Sequence, residues 1–139
     1  MTPYIHRVHY YETDRMGVTH HSNYIRMMEE ARIDFMEQLG WSYARMEALG
    51  VMSPVTAVNV KYLAPTTFDD RVVITVSVKA FDGVRLTIGY TMEKAGETLQ
   101  TVLTGESEHV FLNVQGRFMR LKRELPEFYQ LLTDMAEEA

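Results

Sequence analysis

The sequence predicts an α+β fold in which one antiparallel sheet accompanies a long helix. Three observations predict it. Apolar residues recur at helical spacing from Tyr24 to Leu39, a period of two returns repeatedly between residues 55 and 112, and Asp82-Gly83 and Ala95-Gly96-Glu97 punctuate that stretch as turns. The order of strand, long helix, four strands and closing helix reads as an α+β roll and resembles no parallel-sheet nucleotide fold.

Residues 5–11, IHRVHYY, are rich in β-branched and aromatic types and predict the first strand. The long helix follows from Tyr24, Met27, Met28, Ala31, Phe35 and Leu39, with Ser22 or Asn23 as N-cap and Gly40 as terminator. Ile25, Ile33 and Met36 widen its apolar surface, so the helix is expected to be covered on more than one side. A short helix is expected at 42–49. Strands follow at 55–65, ended by Pro65, at 71–81 with Val72, Ile74, Val76, Val78 and Ala80 on one face, and at 85–93 with Leu86, Ile88, Tyr90 and Met92. A last strand runs from the second turn to about Leu112, with Gly105 expected to permit a bulge or a close approach to the helix. Pro126, then Phe128, Leu131, Leu132 and Met135, predict a helix in the tail from Glu124 to Ala139.

A chain of 139 residues with no linker or repeat is expected to form a single domain over 1–139, with a second copy helping if the ligand is large. The formal charge of −5 argues against a general nucleic-acid or anionic-membrane binder. The start MTPYIHRVHYYETD has neither a basic nor an apolar leader region, and no apolar run approaches the roughly 18 residues of a membrane helix, so a cytoplasmic protein is expected. The absence of cysteine removes disulfides, thiolate zinc sites and cysteine nucleophiles together.

The chemistry concentrates in residues 10–24, YYETDRMGVTHHSNY. No serine nucleophile elbow is present, since GESEH at 105–109 lacks the second glycine and the strand-to-helix context. No metal site is expected: His20 and His21 are adjacent, and His6 and His9 would face opposite sides of a strand. Asp14 stands apart, because it precedes a helix start whose N–H groups carry partial positive charge, and Gly17 between them lets a substrate approach the backbone. A carboxylate facing amide donors suits acyl transfer to water, with Asp14 as base or nucleophile and the N–H near His21 meeting the oxyanion. An Asp before a helix is more often a cap or turn residue, and a His beside one a polar surface group.

The stretch from Asp14 to Tyr24, the helix IRMMEEARIDFMEQLG behind it, VKYLAPTTFDD at 60–70 and LPEFYQLL near the end together resemble hotdog-fold thioesterases of the 4-hydroxybenzoyl-CoA thioesterase and YbgC type. The resemblance implies a five-stranded antiparallel sheet wrapped around the long central helix, a C-terminal helix, and a homodimer or dimer of dimers sharing active sites. It implies hydrolysis of acyl-CoA thioesters without a further cofactor, with Asp14 as the catalytic carboxylate, His21 as the residue whose backbone N–H polarises the thioester carbonyl, and Tyr24 lining the pocket. Glu12 departs from the usual Asp-x-Asp opening, and Thr19-His20 replaces a more apolar or aromatic pair. Gly17 and Arg85 complete the expected substrate contacts. Lys79, Arg117, Arg120, Lys122 and Arg123 could also meet phosphates, although such runs are more often simply solvated. Met16, Met27, Met28 and Met52 could form an adaptable acyl pocket or ordinary core. The alternatives are a non-catalytic binder of acyl-CoA or acyl carrier protein, and a hydratase or dehydratase.

Overall fold

A computed structural model describes residues 1–139. Its strands are β1 (Tyr4–Arg7), β2 (Val55–Tyr62), β3 (Arg71–Phe81), β4 (Leu86–Lys94) and β5 (Gln100–His109); its helices are α1 (Ser22–Gln38), α2 (Tyr43–Ala48), α3 (Leu121–Glu124) and α4 (Pro126–Glu137). The strands form one five-stranded antiparallel sheet in the order β1-β3-β4-β5-β2. No helix is long and apolar enough to cross a membrane.

By internal contacts the chain divides into two compact units. One comprises Met1–Phe35, Val60–Val76 and Tyr90–Gly105; the other comprises Met36–Asn59, Ser77–Gly89 and Glu106–Ala139. In the first, Met27, Met28 and Ala31 of α1 are fully buried, as are Val72, Ile74 and Met92. These are the positions that helical and period-two spacing assign inward. In the second, Phe128 of α4 faces Trp41 at 4.8 Å and Phe111 at 5.5 Å between ring centroids, and Leu132 lies buried one turn on.

Several elements follow the sequence closely. Gly40 adopts φ +83° and its N–H returns to Glu37 O, which ends α1 as a left-handed glycine cap. Ser42 caps α2 by accepting the Arg45 N–H at 3.1 Å. Gly83, at φ +94°, turns β3 into β4 while Asp82 Oδ1 accepts the N–H groups of Val84 and Arg85. Those two donors, Arg85 first, hold the Asp82 carboxyl below its usual range.

Five expectations are corrected. β1 stops at Arg7, which pairs with Arg71 at the start of β3; beyond it only Val8 still bonds, to Asp70 O and the Asp69 N–H of the turn that precedes β3, and residues 10–12 form a 3₁₀ turn instead. β2 ends at Tyr62, ahead of Pro65, and β5 ends at His109, three residues before Leu112. Ser22 and Asn23 lie inside α1, so neither caps it: the Ser22 N–H meets the His20 ring at 3.3 Å and the Asn23 amide reaches back to Glu12 O at 2.9 Å. Within β3, Val72, Ile74 and Val78 are buried, whereas Ala80 is exposed at the outer end of the strand.

Candidate active site

The junction between β1 and α1 folds back on itself as a small hairpin. Thr13 bridges Thr19, the His20 N–H donates to Glu12 O at 2.8 Å, and the Asp14 N–H donates to Val18 O at 2.9 Å. Gly17 sits at the tip with φ +79° and donates its N–H to Asp14 O at 3.0 Å. The left-handed backbone requires a glycine there, although the space around it is open. Asp14 is half-buried, and its Oδ1 accepts the Met16 N–H at 2.8 Å. One carboxylate oxygen thus fixes the side chain in an Asx turn.

Directly after the hairpin the chain enters α1. His20 and His21 are exposed with their rings 4.3 Å apart, and the Tyr62 ring stands edge-on to His21 at 6.2 Å. The first turn of α1 is built by the Asn23 N–H on His20 O and the Tyr24 N–H on His21 O. This turn lies where a helix start supplies roughly half a positive charge.

The segment after β2 braces this junction. The Thr19 N–H donates to Thr66 O at 2.8 Å, the two threonine hydroxyls lie 2.6 Å apart, and the Tyr24 hydroxyl lies 2.8 Å from Thr66 Oγ1. Thr67 adds a bond from its hydroxyl to Gly17 O at 2.7 Å. Thr66 is buried and had no separate signal in the sequence, where it stood inside the quoted VKYLAPTTFDD stretch. Replacing it with valine keeps its shape but strips two buried hydroxyls of a partner. Thr66→Val is expected to cost roughly 1–3 kcal/mol, read by denaturant unfolding; no measurable loss would show that the hydroxyls pair elsewhere.

Of the expected site residues, Asp14, Gly17, His21 and Tyr24 share this one junction. Tyr24 is buried with its hydroxyl on Thr66, and its ring lies 5.7 Å from that of Tyr62. Arg85 belongs to the other unit, exposed in the β3–β4 turn. Among the other cations, Lys79 pairs with Glu106 at 3.0 Å and Lys122 lies over the Tyr129 ring. Met27 and Met28 are core, whereas Met16 is exposed on the loop.

A further cluster was not foreseen as a unit. His6, buried opposite Val72, sits between two acids: Nε2 is 2.8 Å from Glu12 Oε1 and Nδ1 is 2.9 Å from Glu30 Oε2. The Tyr4 hydroxyl donates to the same Glu30 oxygen at 3.2 Å. Burial, with the Glu30 charge behind it, raises the Tyr4 phenol above its usual range. The visible trace of this cluster in the sequence was the Glu at position 12.

Comparison with known proteins agrees with this architecture. The profile of the thioesterase-like superfamily matches residues 8–133. The acyl-CoA thioester hydrolase YbgC of Escherichia coli is 30% identical over 93 residues, covering 67% of this chain and 69% of that protein. YneP of Bacillus subtilis, provisionally assigned as an acyl-CoA thioesterase, is 28% identical over 123 residues, 88% of each chain. Among solved structures, the DHNA-CoA thioesterase of Staphylococcus aureus superposes with a TM-score of 0.89 at 30% identity, covering 99% of this chain and 93% of that one.

Proposed function

This chain belongs to the thioesterase-like superfamily and is a thioester hydrolase with the hotdog fold, and from that premise we propose that its junction hydrolyses acyl-CoA through Asp14 and the backbone N–H at His21, just before α1. The observation that carries the reading is the Asx turn. Asp14 is held by Met16 N–H in a hairpin that runs straight into the helix start, so a carboxylate and amide donors are fixed on one short piece of chain.

In the reaction, Asp14 takes a proton from water as the oxygen attacks the thioester carbon, or attacks that carbon itself to give an anhydride that water then opens. The carbonyl oxygen becomes an oxyanion and accepts the N–H at His21. Collapse expels the coenzyme A thiolate, which takes up the proton, and leaves a free carboxylate. A thiolate departs without a strong general acid, so one carboxylate is enough. Tyr24, buried with its hydroxyl on Thr66, lines the inner side of the junction.

The test is a thiol-release assay over short, branched, aromatic and long acyl-CoAs, with matched acyl carrier protein thioesters beside them. Turnover identifies the acyl class and the carrier. Binding throughout the panel without thiol release would replace the reading with that of a non-catalytic binder.

A second copy of the chain belongs to the same reading. β2 is an edge strand, seven of its eight residues are exposed, and Val55, Val58 and Tyr62 are among them. A strand with both faces open and a free ladder edge is a surface that proteins cover. An isologous dimer formed there would hide it. Val58→Lys is expected to halve the solution mass measured by light scattering, and an unchanged mass would move the interface elsewhere.

A further inference from the structure

The His6 cluster has an imbalance of hydrogens. A carboxylate only accepts, so the contact with Glu30 places a hydrogen on His6 Nδ1. A neutral ring then turns the lone pair of Nε2 toward Glu12 Oε1, 2.8 Å away. Two acceptors at that distance repel unless a cation lies between them. A proton would serve, but a proton needs only those two groups.

A third group is present. β1 ends at Arg7, so the chain turns and brings His9 back, against the expectation that His6 and His9 would diverge across a strand. One ligand atom from each of His6, His9 and Glu12 lies within 4.8 Å of the other two. Zinc bonds of about 2.0–2.2 Å in tetrahedral array hold ligand atoms roughly 3.4 Å apart, so the His6–Glu12 pair, now 2.8 Å apart, opens by about 0.6 Å and His9 draws in by at most about 1.4 Å. The His9 side can give: it is exposed, and its ring is stacked on Tyr11 at 5.0 Å and edge-on to His6 at 5.4 Å. His6 and Glu12 are buried, and Glu12 Oε1 also accepts the backbone N–H of His9 at 2.7 Å, which holds the three residues together.

The surroundings favour a cation. Two carboxyl groups, Glu12 and Glu30, flank the one imidazole, and Asp34 lies near enough to act on Tyr4 beside them. Glu30, held behind the ring by Nδ1–H and the Tyr4 hydroxyl, stands where an outer carboxylate orients a metal-bound histidine.

We propose that His6 Nε2, Glu12 and His9 bind one divalent transition-metal ion, with zinc the best match to two imidazoles and a carboxylate. Solvent completes the coordination on the His9 side. The ion ties the end of β1 to the 3₁₀ turn that precedes Asp14; it holds the loop and takes no part in the thioester chemistry.

The test uses the full chain stripped with a chelator and titrated with cobalt(II) by visible absorption, then with zinc in competition. One ion per chain is expected. His9→Ala should weaken binding at least tenfold, on the order of a lost ligand, and Glu30→Gln by roughly 10–100-fold as a lost orienting carboxylate. His20→Ala, which breaks the other histidine pair, should leave affinity unchanged. Affinity should fall with pH as protons compete for the ligands. No saturable uptake below about 1 mM, or wild-type affinity in His9→Ala, overturns the site and leaves a proton as the bridging cation. Neither result depends on thioester turnover.

Discussion

Asp14→Asn is expected to lower kcat on every accepted acyl-CoA by at least about a hundredfold, the range of a lost catalytic base. The substitution is chosen because it isolates charge. The Asn side chain keeps an oxygen at Oδ1, so it still accepts the Met16 N–H and the Asx turn survives. Gly17 still donates to the backbone carbonyl of residue 14, and the hairpin bridge between Thr13 and Thr19 does not involve the side chain. What disappears is the basic oxygen that would take a proton from water or attack the carbonyl. A hundredfold corresponds to about 2.7 kcal/mol of transition-state stabilisation, which should appear in kcat and kcat/KM together with KM little changed. The melting temperature should stay within experimental scatter. A fall of less than tenfold would remove Asp14 from the chemistry and leave it a turn residue.

How far the sequence could be read is visible in particular residues. Met27, Met28, Ala31 and Phe35 are legible because a helix and a core select the same spacing. Leu86, Ile88, Tyr90 and Met92 are legible for the matching reason in a strand. Asp82-Gly83 announces its turn through local chemistry alone. The end of β1 was not legible: Tyr10 and Tyr11 have high strand propensity, yet the ladder stops where the partner strand begins, and both rings stand exposed. That boundary is a property of β3, more than sixty positions away in the chain.

The site divides along the same line. Asp14, Gly17 and His21 lie within eight consecutive residues, so the grouping can be read from one line of sequence. Thr66 and Glu30 act on that loop from distant segments, through a hydroxyl on Tyr24 and a carboxylate on His6. Nothing in the residue types of Thr66 or Glu30 sets them apart from other polar residues; only the fold brings them to partners. Sequence reasoning therefore found the group proposed to react and missed the groups that hold it.

Phe128→Ala is expected to lower stability by about 3–5 kcal/mol, the cost of removing a buried aromatic ring and leaving its cavity. Phe128 is fully buried, and its ring meets Trp41 and Phe111 from two sides at 4.8 and 5.5 Å. Neither neighbour is free to collapse into the space. Trp41 is held by the Arg45 guanidinium 3.7 Å above its ring and by its backbone N–H on Met36 O, and the backbone carbonyl of Phe111 accepts the Met119 N–H. In a chain of this length roughly 3–4 °C of melting temperature follows each kcal/mol, so a fall of roughly 10 °C or more should be seen by calorimetry. Phe128→Leu, which keeps most of the volume, should recover the greater part of it. A loss below about 1 kcal/mol for the alanine variant would mean that α4 contributes little to this core. The two variants separate the two links of the argument: Asp14→Asn should change the rate and spare the melting temperature, whereas Phe128→Ala acts first on the melting temperature, because its ring packs the core and reaches no reacting atom.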